Sequence, residues 1–197
     1  RSIAVTGVQT CALPILANQY PPKLDTHDRF GRRVDLVHFH PAYHELMRTA
    51  LTHGLHASPW THPRAGAHVA RAAKTIMQSQ VEAGHGCPVT MTFAAVPSLL
   101  QQPDLAEQWL PKITAWDYDP RNVPISQKSA VTIGMGMTEK QGGSDVRANT
   151  TRATPIAAAG GGQLYQLVGH KWFLSAPMCD AFLVLAQTGK GLSCFLV

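Results

Sequence analysis

Apolar positions recur along this chain with two different periods, and the change between them divides it. Between Pro41 and Leu110 the spacing is helical. Pro41 takes the favoured first position of a helix, where its missing N–H costs nothing. Leu46, Met47, Ala50 and Leu51 follow as an i, i+3, i+4 stripe, and Gly54 ends it. Residues 64–83 predict a second helix, with Ala67, Val69, Ala70, Ala73, Ile76, Met77 and Val81 facing inward and Gly84 and Gly86 stopping it. Residues 88–101 read as a third, almost wholly apolar helix. Asp104 is placed to cap a fourth, running through Leu105, Trp109 and Leu110, and Pro111 predicts a kink or a second short helix. Residues 16–38 read as loop. Residues 117–128, with Pro120 and Pro124, read as a hinge.

From Ser129 the period shortens to that of strands. Residues 131–137, 147–154, 163–172, 181–187 and 192–197 are the candidates, with a small-residue tip over 157–162. Helices followed by strands predict an α+β chain with separate layers or domains.

Composition narrows the class only a little. Apolar residues make up 45% and charged ones 15%, and no apolar run approaches the 18 residues a membrane helix needs. The formal charge of +5 is spread out, without a run of five basic residues or interleaved aromatics, so no nucleic-acid surface is expected here. Cysteines at 11, 87, 179 and 194 show no paired spacing. They read as small buried hydrophobes in a reducing compartment, the cytoplasm.

The chemistry concentrates in residues 135–146. An apolar run, Val131 to Met135, leads into a polar turn containing Gly142 and Gly143, then Ser144 and Asp145. Glycines let backbone approach a ligand closely. Thr138 and Ser144 each offer a donor and an acceptor. Such a loop suits a planar cofactor with a pyrophosphate tail. An ordinary turn between strands is the competing reading.

A second segment, Tyr165 to Ser175, changes the balance. Met137-Thr138-Glu139 with Gly143-Ser144-Asp145, then Thr151-Arg152-Ala153, then Val168-Gly169-His170-Lys171-Trp172-Phe173 form an ordered, spaced set. It resembles the acyl-CoA dehydrogenase family. The wording is most similar to the AidB-type branch, named for the DNA-alkylation response, and Phe39-His40-Pro41-Ala42 and Cys87 to Ala95 fit that branch too.

The resemblance implies a helical N-terminal domain over 16–128 and an antiparallel β-barrel or sandwich middle domain over 129–197, with the family's C-terminal helical domain beyond the sequence. It implies FAD as cofactor and an acyl-CoA-like small molecule as substrate. Met135, Gly136, Met137 and Thr138 would line the flavin ring, and Gly143 and Ser144 would approach the pyrophosphate. Trp172, Phe173, Leu174 and Ser175 would pass over the other side. The family's glutamate base would lie in the C-terminal domain, so no catalytic residue is assigned. Glu139 is expected to bond locally or face solvent. Thr90, Met91, Thr92 and Phe93 face either a flavin or acyl pocket, or the core with hydroxyls bonded back along the helix. The resemblance also implies a homotetramer, and double-stranded DNA as a partner of the C-terminal domain.

Two further patterns are weaker. His38, His40 and His44 suggest a metal cluster, but Pro41 turns the backbone between them and nothing completes a tetrahedral set. Ser144, Asp145 and His170 suggest a hydrolase triad, without the Gly-x-Ser-x-Gly elbow it needs. Residues 1–15 stand outside the resemblance and read as a translated, non-native leader, because Thr6, Gly7, Gln9 and Thr10 interrupt any signal-peptide core. With a final strand that stops abruptly, the chain reads as a fragment.

Overall fold

A computed structural model describes residues 7–197, with side chains from Ala12 onward. The leader expected over 1–15 lies partly outside these residues, and its second half falls in a helix, α1, Gly7–Gln19. The supposed loop after it contains a two-stranded antiparallel ribbon, β1 (Lys23–His27) with β2 (Arg33–His38). Asp28 builds its turn by accepting the Phe30 and Arg32 N–H groups at 2.8 and 3.0 Å. The sequence hid the ribbon because every β1 residue is exposed, so no alternation of burial marks it.

The helices follow in order: α2 (Pro41–Thr52), α3 (Ser58–Thr61), α4 (Ala67–Val81), α5 (Gly86–Leu99) and α6 (Pro103–Ile113). The α2 stripe is buried as expected and packs with Leu55 and Val89. Its N-cap is His40, whose Nδ1 accepts the Ala42 N–H at 3.1 Å. In α6, Asp104 sits in the first turn rather than at the cap, which Gln102 occupies. A carboxylate there still favours the positive end of the helix dipole. Pro111 does not break the helix, which runs on to Ile113 because only the last turn lies beyond it.

Pro97 inside α5 has a visible consequence. It offers no N–H to the Phe93 carbonyl one turn earlier. The Trp60 indole N–H fills that place at 3.1 Å and fixes α3 against α5.

Helix α4 departs most from its expectation. None of its residues is buried, and Val69, Ile76 and Met77 are 73, 60 and 61% exposed. It docks instead by polar groups. Arg71 donates to the Leu55 carbonyl at 2.6 Å and lays its guanidinium over Phe93, and Lys74 donates to the His53 carbonyl.

Five strands make the second layer: β3 (Ile133–Gly136), β4 (Arg152–Pro155), β5 (Tyr165–Val168), β6 (Ala181–Thr188) and β7 (Gly191–Leu196). The sheet is mixed where an antiparallel one was expected. β6 runs parallel to β3 and, at Arg152↔Gln187, to β4. The β4–β5 and β6–β7 pairs are antiparallel. Parallel pairing follows from the long excursion between β3 and β6, which returns the chain to the end where it began.

One core joins the two layers. Val96 and Leu99 of α5 and Ile113 of α6 pack against Val131, Ile133 and Leu183. Thr92 welds this seam. Its hydroxyl donates to the Pro88 carbonyl at 2.7 Å and accepts the Ile133 N–H at 3.0 Å. Thr92 is therefore core, with its hydroxyl bonded back, and not part of a pocket. The thiols differ from expectation as well, since Cys87 and Cys194 are exposed and Cys179 is half-buried.

Candidate functional site

The end of β3 and the turn after it meet the segment that follows β5. The Trp172 N–H donates to the Thr138 carbonyl at 2.9 Å. Leu174 lies across Gly136, where an added Cβ would come within 3.0 Å of its Cδ1. Gly143 sits against Thr138, with 3.0 Å between a hypothetical Cβ and Thr138 Oγ1. Gly142 has φ 122, a conformation that only glycine adopts easily. Met135 to Thr138, the glycine turn and Trp172 to Ser175 therefore share one corner.

That corner is held from behind by Glu139, which is fully buried. Its Oε2 accepts the Thr150 N–H at 2.7 Å and the Thr150 hydroxyl at 2.8 Å. Its Oε1 accepts the Thr151 N–H at 2.8 Å and faces Lys171 Nζ at 3.4 Å. Burial alone would raise this carboxyl, but the bonds from Thr151 and Thr150 outweigh it and hold it well below the usual range. Two chain segments, at 150–151 and at 171, are thus tied to one carboxylate. The Thr151 hydroxyl extends the web to the His170 carbonyl at 3.0 Å, and Asn149 Nδ2 donates to the Met137 carbonyl at 2.8 Å. Gly169 lets this happen, because a Cβ there would meet the Thr151 backbone at 2.6 Å.

Glu139 was expected to bond locally or face solvent. The structure places it instead at the centre of the corner. Its partners, Thr150, Thr151 and Lys171, were visible only as motif letters. The signal was the pairing of a motif Glu with a motif Lys about thirty residues later.

The front of the corner is open. Trp172, Phe173 and Leu174 are 46, 80 and 44% exposed and form an apolar shelf. Phe173 and Ala176 have φ of 55 and 52, the left-handed region that costs a side-chain-bearing residue about 1–2 kcal/mol. Among the described residues nothing bonds to the hydroxyls of Thr138, Ser144 or Ser175. Exposed aromatic surface beside idle donors and a glycine turn fits a planar, hydrogen-bonding cofactor with an anionic tail.

The weaker patterns disperse. His38 faces Asp25 at 3.0 Å, His40 caps α2, and His44 Nδ1 pairs with the Tyr118 hydroxyl at 2.8 Å. Among the described residues no group of His, Cys, Asp or Glu is arranged to hold a metal. His170 Nε2 accepts the Lys140 N–H, so it is not a base for Ser144. No helix among them is long and apolar enough to cross a membrane.

Comparison with known proteins gives this corner a context. Residues 4–120 match the model described as the adaptive response protein AidB N-terminal domain, and residues 134–197 the acyl-CoA dehydrogenase middle domain. That first match takes in most of residues 1–15. The chain is 53% identical over 184 residues to the putative acyl-CoA dehydrogenase AidB of Escherichia coli (strain K12), covering 92% of this chain and 33% of the relative. Among solved structures, it matches the apo form of Bd2924 with a TM-score of 0.81 and 29% identity, covering 95% of this chain and 38% of that one. It matches Caenorhabditis elegans ACDH-11 in complex with C11-CoA with a TM-score of 0.79 and 27% identity, covering 96% and 33%. The chain spans about a third of the length of these proteins.

Proposed function

The chain belongs to the acyl-CoA dehydrogenase family, in its AidB-like branch, and from that premise we propose that its open corner is one wall of an FAD site in a thioester-oxidising enzyme. One observation carries the reading: exposed Trp172 and Phe173 stand beside the unengaged hydroxyls of Thr138, Ser144 and Ser175. FAD, when bound, supplies the acceptor for a hydride leaving Cβ of the thioester. The chain's own residues position and shield. Thr138 and Ser175 offer hydroxyls to the polar edge of the ring. Ser144 and the backbone at Gly142 and Gly143 serve the pyrophosphate. Trp172, Phe173 and Leu174 cover ring surface and keep water away.

Glu139 is not the base. A carboxylate already receiving four donors, with no exposed surface, has no free lone pair to offer a substrate Cα–H. The resemblance implies that the proton goes to a glutamate of the family's C-terminal domain. The C11-CoA held by ACDH-11 supports a fatty acyl thioester as the substrate class. A DNA-linked role finds no comparable feature here, since the positive charge is scattered.

The test is a double substitution, Thr138→Ala with Ser144→Ala, followed by flavin fluorescence. Each hydroxyl contributes about 0.5–1.5 kcal/mol. The FAD dissociation constant should rise about tenfold, since 1.4 kcal/mol is a factor of ten. An unchanged constant would refute the placement.

A further inference from the structure

A cavity of about 300 Å³ opens where the end of β2, helix α2 and the segment 176–180 meet. None of the ten residues assigned to the flavin wall lines it. Its volume is about twice the 150 Å³ that an engineered cavity needs to hold benzene, so it accommodates two fused rings.

Two stacked aromatic pairs stand in its walls. Phe39 stacks on Tyr43 with centroids 4.1 Å apart and planes 18° from parallel. His44 stacks on Tyr118 at 6.0 Å and 29°. Val37, Met47 and Met178 complete the apolar lining.

Its charges cancel internally. Lys128, with a side chain only 4% exposed, lies 2.5 Å from Asp180 Oδ1, and Asp180 Oδ2 accepts the Thr132 N–H at 2.7 Å. Asp119 is engaged by Arg121 at 2.6 Å. Burial pushes Tyr43 and Tyr118 above the usual phenol range and the Cys179 thiol up to about 12, so all three stay protonated at neutral pH. Burial also lowers His44, which favours its neutral ring. A charged guest would lose its hydration and find no free counter-ion.

The His44–Tyr118 pair forms one polar edge of the cavity. His44 Nδ1 bonds the Tyr118 hydroxyl at 2.8 Å, and His44 Nε2 has no partner among the described residues. This pair can give one hydrogen bond to a guest and accept another, whichever tautomer is present.

We propose that this cavity binds a neutral, planar, two-ring aromatic molecule bearing one hydrogen-bonding substituent, with its rings against Tyr43 and Tyr118 and its substituent on the His44–Tyr118 pair. The site is separate from the flavin wall, and its occupancy does not depend on FAD.

The test is ligand-observed NMR titration of the full 197-residue chain with 2-naphthol, 2-naphthoate and 1-octanol, in the absence of FAD. The expected result is saturable one-to-one binding of 2-naphthol, with 2-naphthoate and 1-octanol at least about tenfold weaker. Tyr118→Phe keeps the ring and removes the hydroxyl, and should weaken 2-naphthol about tenfold, the loss of one hydrogen bond. Val37→Trp fills the cavity from a half-buried strand position and should abolish binding. Circular dichroism of both variants separates lost binding from lost fold, and Tyr118→Phe carries the decision if Val37→Trp unfolds. Equal binding of 2-naphthoate would overturn the neutrality argument, and equal binding of 1-octanol the planarity argument. No saturable binding of 2-naphthol, or unchanged binding to folded Tyr118→Phe, would overturn the site itself.

Discussion

Glu139 and Phe173 come from the same recognition motifs and meet the same corner, yet they are treated in opposite ways. Glu139 has no exposed surface and four donors on its two oxygens. Phe173 is 80% exposed and held in the left-handed region. The first is fully satisfied in the chain alone. The second carries backbone strain and has little to pack against. The contrast separates the motif into a half that builds the corner and a half that presents itself to a ligand. Strain and exposed apolar surface persist in folded proteins mainly where a partner repays them.

The largest effect should come from the satisfied half. Glu139→Ala would strand Lys171, whose side chain is 10% exposed, and leave the Thr150 and Thr151 N–H groups unpaired. Removing one partner of a buried ion pair costs about 3–5 kcal/mol. Urea denaturation should show that loss; a midpoint within error of the parent would mean the web is not a scaffold.

A second buried polar group sharpens the point through pH. His56 has no exposed surface and bonds the Ala115 carbonyl at 2.9 Å, while its Nδ1 has no partner. Burial, partly offset by that bond, lowers it from 6.5 to about 4. The unfolded chain therefore takes up the proton first as pH falls. Stability from this group is present above pH 6.5 and is lost progressively down to about 4. Between pH 7 and 5 the loss should be about 2 kcal/mol, at 1.36 kcal/mol per unit. The slope should fall by about that amount in His56→Gln, the remainder coming from His44, which burial also lowers, and a pH-independent midpoint over that range in the parent would contradict the assignment.

The presenting half should behave in the reverse sense. Phe173→Gly relieves the left-handed strain, set against glycine's greater freedom when unfolded, so the chain should gain about 0.5–1 kcal/mol. It should bind FAD less well, having lost a shelf ring. A fall in thermal midpoint would show that Phe173 packs as core. The smallest change is expected for Thr138→Ala with Ser144→Ala, which should alter stability by no more than about 0.5 kcal/mol, since neither hydroxyl has a partner among the described residues.

Much of this was legible in the residues, and the failures share a cause. The α2 stripe, the α5 core helix and four of the five strands follow from periodicity, because burial on one side imposes it, whereas the strand expected over 147–154 begins only at Arg152, after a 3-10 helix over Gly143–Ala148. The β1–β2 ribbon was not legible, since exposed strands carry no such imprint. The inward face assigned to α4 was wrong, because Arg71 and Lys74 hold that helix by polar contacts while Ile76 and Met77 face out. The sheet's parallel pairs depend on chain return, which no local pattern encodes. At the corner, the exposed shelf residues were named from the motif, whereas the burial of Glu139 depended on contacts with Thr150, Thr151 and Lys171 that only the fold assembles.

The central claim, that one motif divides into a closed scaffold and an open flavin wall, is tested most directly by mapping FAD onto the chain. Backbone amide spectra of the isotopically labelled protein would be followed through a titration into the millimolar range, where even one isolated wall gives measurable shifts. The shifts should concentrate at Gly136 to Thr138, Gly142 to Ser144 and Trp172 to Ser175, while Thr150 and Thr151 keep their positions. Shifts centred on Thr150 and Thr151, or none in the Trp172 to Ser175 segment at saturating FAD, would contradict it.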